Sequence, residues 1–156
     1  LTGVEGFDLS ENLLVDLSAL GSVSQATSLN LAGNGIGDLS GIGAVEGLEF
    51  LNLHGNAVSD ISPVSNLTSL GWLDLSGNVV SNLLPLAGLT NLSWVGLSGN
   101  GLTNTAGLAS SVRIEWLGLQ NNMIDDRWPT HREMTRPCSS SGGTDFSESQ
   151  TLAQSA

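Results

Sequence analysis

The sequence has no lysine and no tyrosine, and 15 acidic residues outnumber its 4 arginines, which gives a formal net charge of −11. A chain with so few cationic side chains lacks the basic patch that holds phosphate groups, and we expect it to repel nucleic acid and anionic membrane surfaces. Acidic surfaces without lysine are typical of secreted or surface proteins, and also of proteins from salt-adapted organisms.

Cysteine and long apolar runs are equally scarce. The single cysteine, Cys138, has no partner for an internal disulfide, and no His, Cys or carboxylate cluster has the spacing of a metal site. No apolar run is long enough to span a membrane. We therefore predict no metal, no cofactor and no membrane insertion. The first residues do not form a charged-then-apolar leader, so the compartment cannot be read from a targeting signal.

What the sequence does contain is an uninterrupted repeat. Asparagine recurs every 22 residues, at Asn12, Asn34, Asn56, Asn78, Asn100 and Asn122. Rows of this length begin at Phe7, Leu29, Leu51, Leu73, Val95 and Leu117. One column of the rows is leucine throughout, at Leu9, Leu31, Leu53, Leu75, Leu97 and Leu119. One row cannot bury its apolar face alone, but stacked rows form a continuous core in which each coil contacts only its neighbours.

The phrase L-x-x-L-x-L-x-x-N, as in 48–56 and 70–78, resembles the leucine-rich repeat. The 22-residue spacing and the stretch 56–64, which reads NAVSDISPV, are similar to the short subclass. That subclass includes bacterial internalin-type surface proteins and a regulatory subunit of protein phosphatase 1. The resemblance implies a leucine-rich repeat solenoid, with a curved parallel β-sheet on the concave face and short 3₁₀ or irregular turns on the convex face.

Both ends of the chain depart from the pattern. Leu1 and Val4 fit apolar columns of the next row, so residues 1–6 are expected to form a partial coil and the chain to be a fragment. We expect the leucine-rich repeat domain to cover residues 1–126. A degenerate end of the last repeat, 127–138, and a disordered tail or linker, 139–156, are expected to follow, because the tail has too few apolar residues to order itself.

The row before the last repeat already contains polar residues in apolar columns. Thr105 and Ser111 occupy positions that are apolar in the other rows. Val112, the next residue along the chain, is expected to compensate in part for Ser111.

The asparagine column, which we call the asparagine ladder, is expected to be structural. Each strand leaves backbone groups unpaired where it turns out of the sheet, and a buried polar group without a partner costs about 1–3 kcal/mol. An amide side chain has the donors and the acceptor to satisfy them. A second polar column is expected to cap turns by accepting local N–H groups. It consists of Asp16, Asp38, Asp60, Asn82, Asn104 and Asp126. A calcium ladder on these acids is less favoured, because the dense Gly-Asp spacing of calcium-binding β-rolls is absent.

Three columns are predicted to face outward from the concave sheet, because alternate residues of a strand point to opposite faces. We call the first of them the aromatic ladder; it consists of Phe50, Trp72, Trp94 and Trp116. Neighbouring strands lie about 4.8 Å apart, so these rings are expected to line one edge of the concavity beside a groove of small residues. The other two columns offer polar contacts through Asn52, Asp74, His54 and Gln120.

The aromatic ladder favours a non-catalytic module that binds a protein partner. Large exposed aromatic patches mark contact sites, and tryptophan is favoured at binding hot spots. Cross-strand aromatic pairs also stabilise a sheet by about 0.2–1 kcal/mol, so the alternatives are a structural spacer or a glycan-binding segment of a larger surface protein. Resemblance to internalins places the chain outside the cell or on its surface, which we favour. Resemblance to the phosphatase subunit places it inside.

A catalytic alternative combines His54, Ser76 and Asp74, which adjoin one another in the outward columns. Flat sheet positions offer neither a strained nucleophile turn nor a helix N-terminus for an oxyanion hole. Ser98 continues the column of Ser76, which indicates that serine is the default small residue there. We therefore predict that the protein is not an enzyme.

Overall fold

Six short parallel strands form one sheet in the computed structural model, which describes residues 3–125. The strands are β1 (Gly6–Asp8), β2 (Ser28–Asn30), β3 (Phe50–Asn52), β4 (Trp72–Asp74), β5 (Trp94–Gly96) and β6 (Trp116–Gly118). They lie in chain order, and each residue pairs with the residue 22 positions later, as Leu51 does with Leu73. Every predicted row begins at the central residue of a strand.

Five 3₁₀ helices lie on the opposite side of the described coils from the sheet. They span Ser18–Val23, Ile42–Ala44, Ser62–Asn66, Leu84–Leu86 and Ala106–Leu108. Pro63 and Pro85 lie in the first turn of two of them, where a fixed φ and a missing N–H are tolerated. The predicted solenoid with short 3₁₀ turns is confirmed.

The second polar column caps these turns. Asp38 accepts the backbone N–H of Ser40 at 2.8 Å, and Asn82 accepts that of Leu84 at 3.0 Å. The backbone N–H and the hydroxyl of Ser18 both donate to the carboxylate of Asp16 and hold its pKa below the ordinary value. The capping prediction is confirmed at these positions.

The core fills the space between the sheet and the 3₁₀ helices. Four members of the leucine column are fully buried: Leu31, Leu53, Leu75 and Leu97. Leu9 and Leu119, in the first and last rows, are only partly buried against the core. Each coil therefore depends on its neighbours for burial, as the repeat pattern predicts.

A residue with left-handed backbone lies three positions after the end of each strand, immediately before the ladder asparagine. The four central rows use glycine here, with φ between 64° and 67°, whereas Glu11 (φ 54°) and Asn121 (φ 56°) take the position in the first and last rows. Glycine adopts this conformation without the steric cost that a Cβ brings. The turn therefore places the ladder asparagine at the same position in every row.

Ser111 introduces the one buried side-chain polar atom without a hydrogen-bond partner among the described residues. Val112 does not compensate for it, because its side chain is 69% exposed. That expectation is wrong: neighbours in the chain point in different directions here, and the hydroxyl stays in an apolar column.

Replacing Ser111 with alanine is expected to raise the free energy of unfolding by about 1 kcal/mol, because the variant no longer buries an unpaired hydroxyl. Urea unfolding measures the change. Ser110→Ala is the control, because Ser110 is exposed and its substitution should have little effect. A Ser111→Ala variant less stable than the parent would contradict the assignment.

Some predictions fall beyond residues 3–125. They concern Leu1, Asp126, the degenerate repeat end at 127–138 and the tail at 139–156.

Candidate functional site

The asparagine ladder joins neighbouring rows directly beneath the strand ends. Asn78 is 6% exposed; its amide oxygen accepts the N–H of Val58 at 2.9 Å, and its amide nitrogen donates to the carbonyls of Leu53 and Leu75 at 2.9 Å each. The same link to the preceding row recurs at Asn34, Asn56, Asn100 and Asn122. Asn12 is exposed, and its amide nitrogen donates to the carbonyls of Leu9 and Ser10 in its own row. The ladder therefore fixes the spacing at which the outward side chains are presented.

The four rings of the aromatic ladder stack face to face. Ring centroids are 4.2 Å apart between Phe50 and Trp72, 4.3 Å between Trp72 and Trp94, and 4.2 Å between Trp94 and Trp116. The corresponding interplanar angles are 13°, 9° and 4°. These separations are shorter than the strand spacing of about 4.8 Å, because side chains on the concave side of a curved sheet converge.

Stacking determines which part of each ring remains accessible. All four rings are half-buried. Trp72 and Trp94 each have a ring on both sides, so both of their faces are covered. Their edges are turned to solvent. An aromatic edge carries the positive part of the ring quadrupole, and the indole N–H adds a donor.

Asn52 and Asp74 lie beside the aromatic ladder, and one side-chain oxygen of each already accepts a backbone N–H. Asn52 accepts the backbone N–H of His54 at 3.0 Å, and Asp74 accepts that of Ser76 at 2.8 Å. Asp8 accepts both the N–H and the hydroxyl of Ser10 in the same way. These bonds hold the strand ends and fix the orientation of the polar groups next to the rings.

The expected groove of small residues is closed at two positions. Gly96 and Gly118 are buried. A Cβ on Gly96 would lie 2.5 Å from Oδ1 of Asp74, and one on Gly118 would lie 2.5 Å from Cη2 of Trp116. The carboxylate and the indole therefore cover these glycines. The expectation is wrong here, because neighbouring side chains lean into the space that a missing side chain leaves.

The third outward column holds His54, Ser76 and Gln120. His54 and Gln120 are exposed, and the hydroxyl of Ser98 donates to Oε1 of Gln120. Across residues 3–125, no hydrogen bond joins His54 to Ser76 or to Asp74. The three residues adjoin but do not form the relay in which a carboxylate orients a histidine against a serine hydroxyl.

No group of three or more His, Cys, Asp or Glu residues in the described part of the chain is placed to hold a metal ion. Between residues 3 and 125, no helix is long and apolar enough to cross a membrane.

Comparison with known proteins rests on structure. No protein-family model matches the sequence, and no curated protein matches it. An internalin of Listeria monocytogenes is similar with a TM-score of 0.77 and 26% identity, over 80% of this chain and 36% of its own. A leucine-rich repeat protein of Leptospira interrogans is similar with a TM-score of 0.73 and 28% identity, over 78% of this chain and 32% of its own.

A third similar structure is the ectodomain of a plant membrane receptor kinase from Arabidopsis thaliana. It has a TM-score of 0.68 and 25% identity, over 78% of this chain and 16% of its own. This chain therefore spans roughly a third or less of the length of the three proteins.

Proposed function

Because the chain is a leucine-rich repeat protein with 22-residue repeats, we propose that it is a non-catalytic module that binds a protein partner on its concave sheet. The aromatic ladder is the centre of the contact. Asn52, Asp74, His54 and Gln120 supply polar contacts around it. The observation that carries the proposal is the continuous stack of four half-buried rings on the outward side of β3 to β6.

The stack supports binding because it is pre-organised. Each ring is held in place by its neighbours, so little side-chain freedom is lost when a partner docks. Rigid aromatic side chains at the centre of an interface supply most of the binding free energy. The half-exposed edges form an apolar ridge whose polar flanks suit a protein interface.

The similar structures support the same class of function. The Arabidopsis receptor ectodomain was solved in complex with Casparian strip integrity factor 2. Internalins and receptor ectodomains also support an extracellular or cell-surface location for this chain, in agreement with its acidic, lysine-free composition.

The covered ring faces favour a protein partner over a glycan. A sugar ring packs its C–H groups on an aromatic face, and both faces of Trp72 and Trp94 are already occupied. A purely structural spacer needs no ridge of half-exposed rings along its concave side. The capture experiment below separates a spacer from a binding module.

A double variant, Trp72→Ala with Trp94→Ala, is expected to lose its protein partner. Immobilised parent and variant chains are exposed to the same extracts, and bound proteins are quantified by mass spectrometry. Loss of two hot-spot side chains should lower recovery of the partner at least about tenfold.

Leu84→Ala is the matched control for this experiment. Leu84 is 62% exposed on a 3₁₀ helix, away from the sheet, so its truncation removes apolar surface without touching the aromatic ladder. The control should recover the partner as the parent does. Equal recovery of every protein by parent and double variant, with both chains folded, would refute the proposed function.

A further inference from the structure

Nearly all charged residues of the repeat region are acidic. Arg113 is the only lysine or arginine between residues 3 and 125, and residues 3–112 contain none. Three exposed carboxylates lie around the first strands of the sheet, on Glu5, Asp8 and Glu49. No cation of the described chain accompanies them. This end of the concave surface is therefore strongly anionic.

The aromatic ladder ends abruptly at the same place. In register with Phe50, β2 presents Ser28 and β1 presents Gly6. Trp72 covers one face of the Phe50 ring. Among residues 3–125, no ring covers the other face, which is turned toward the row of the small, half-buried Ser28. We call this position, with Gly6 and Ser28 as its floor and Phe50 as its wall, the shelf.

The residues that carry the three carboxylates flank the shelf in the chain or in the strand pairing. Glu49 directly precedes Phe50 in the chain. The carbonyl of Glu5 accepts the N–H groups of Thr27 and Ser28 at 2.7 and 3.0 Å, which places Glu5 at the start of β2. Asp8 pairs with Asn30 at the other end of the same strand pair.

Asp8 is charged at neutral pH. The hydroxyl and the backbone N–H of Ser10 donate to its carboxylate and hold the pKa of Asp8 below the ordinary value. A carboxylate already held by such bonds keeps its charge without a cationic partner of its own.

We propose that the shelf receives an arginine side chain of the protein partner, so that the partner docks with a basic segment on the β1–β3 end of the concave sheet. The inference rests on the proposed function and specifies the chemistry of the partner. A guanidinium group stacks on an open aromatic face and is attracted to it as a cation. The surrounding carboxylates add to this attraction, and the small floor leaves room for a planar group.

Arginine fits the shelf better than lysine. An ammonium group is strongly hydrated and compact, whereas a guanidinium is planar, less hydrated and able to donate to two carboxylates while it lies on a ring. Trp72 and Trp94, whose two faces are both covered, present edges and do not attract cations in this way. The shelf therefore places the basic residue at the β1–β3 end of the contact and apolar residues beside Trp72 and Trp94.

The test uses the full chain and three labelled peptides with the sequence Gly-X-Gly-X-Gly-X-Gly, where X is arginine, lysine or citrulline. Citrulline has nearly the shape of arginine without its charge. Fluorescence anisotropy at low salt gives the three affinities. We expect the arginine peptide to bind at least about threefold more tightly than the lysine peptide, and the citrulline peptide to bind most weakly.

Two variants locate the site. Glu49→Gln removes a carboxylate beside the shelf, and Glu46→Gln makes the same change three residues earlier, at an exposed position that follows the 3₁₀ helix Ile42–Ala44. Only Glu49→Gln should weaken the arginine peptide, by about two- to fivefold. Phe50→Leu keeps an apolar side chain but should abolish the preference for arginine over lysine.

Three outcomes overturn the inference. They are equal affinity for the arginine and citrulline peptides, equal weakening by the two glutamate variants, and an arginine preference that survives in a folded Phe50→Leu variant. None of these results bears on whether partner capture needs Trp72 and Trp94. Capture that is independent of the tryptophans contradicts the proposed function whatever the peptides show.

Discussion

Replacing Asn78 with alanine is expected to lower the free energy of unfolding by about 3 kcal/mol. The substitution leaves the N–H of Val58 buried without its acceptor. It also removes the amide nitrogen that donates hydrogen bonds to the carbonyls of Leu53 and Leu75. Each carbonyl keeps a bond from another asparagine of the ladder, so the orphaned N–H accounts for most of the cost. Urea unfolding of parent and variant measures the difference.

Asn12→Ala is the matched control. The amide of Asn12 is exposed and bonds to the carbonyls of Leu9 and Ser10 in its own row. Water replaces those bonds, so the loss of stability should stay below about 1 kcal/mol. Equal losses at the two positions would show that links between rows contribute nothing beyond a local turn.

Replacing Gly107 with alanine is also expected to lower the free energy of unfolding by about 3 kcal/mol or more, but for a steric reason. Gly107 is buried, and a Cβ there would lie 1.8 Å from the carbonyl oxygen of Leu83 and 2.7 Å from the N of Leu84. Both atoms belong to the backbone of the preceding coil. They cannot rotate away as a side chain does, so the two coils must separate.

Gly88→Ala provides the comparison. A Cβ at Gly88 meets nothing within 4 Å, and this glycine is exposed. Its substitution should be neutral or stabilising by about 0.4–1 kcal/mol, because alanine restricts the unfolded chain. Thermal unfolding of both variants tests the prediction. Equal melting temperatures for the Gly107→Ala and Gly88→Ala variants would show that the coils are not in close backbone contact.

The sequence predicts the register of this fold because one spacing governs every level of it. The interval between Asn56 and Asn78 is also the interval between Leu51 and Leu73, which pair in the sheet. Asparagine, leucine and left-handed glycine recur together, so turn chemistry and burial agree row by row. Placing the aromatic side chains on one outward column follows from the same interval and the alternation of a strand.

Side-chain directions could not be predicted in the same way. Whether adjacent indoles stack or splay depends on rotamers that the spacing does not determine, and stacking is what hides the faces of Trp72 and Trp94. The lean of Asp74 over Gly96 depends on its bond to the N–H of Ser76. Val112 likewise points outward because of the local turn, although its position beside Ser111 suggested otherwise.

The shelf also escaped sequence reasoning, although its signal was present. The first outward column of the sheet begins with Gly6, Ser28 and Phe50. The change from small to aromatic residues marks the ring of Phe50 as the one with no ring on its β2 side. Attention to the aromatic residues alone misses the glycine and serine that leave that face open.

The stacked indoles of Trp72, Trp94 and Trp116 also couple as chromophores. Transition dipoles held about 4 Å apart in nearly parallel rings interact strongly, so light excites them collectively rather than singly. The coupling weakens when two of these rows slip or separate, even while the rest of the solenoid stays folded. Circular dichroism in the indole bands thus reports the alignment of three particular coils, at the place where a partner is proposed to dock.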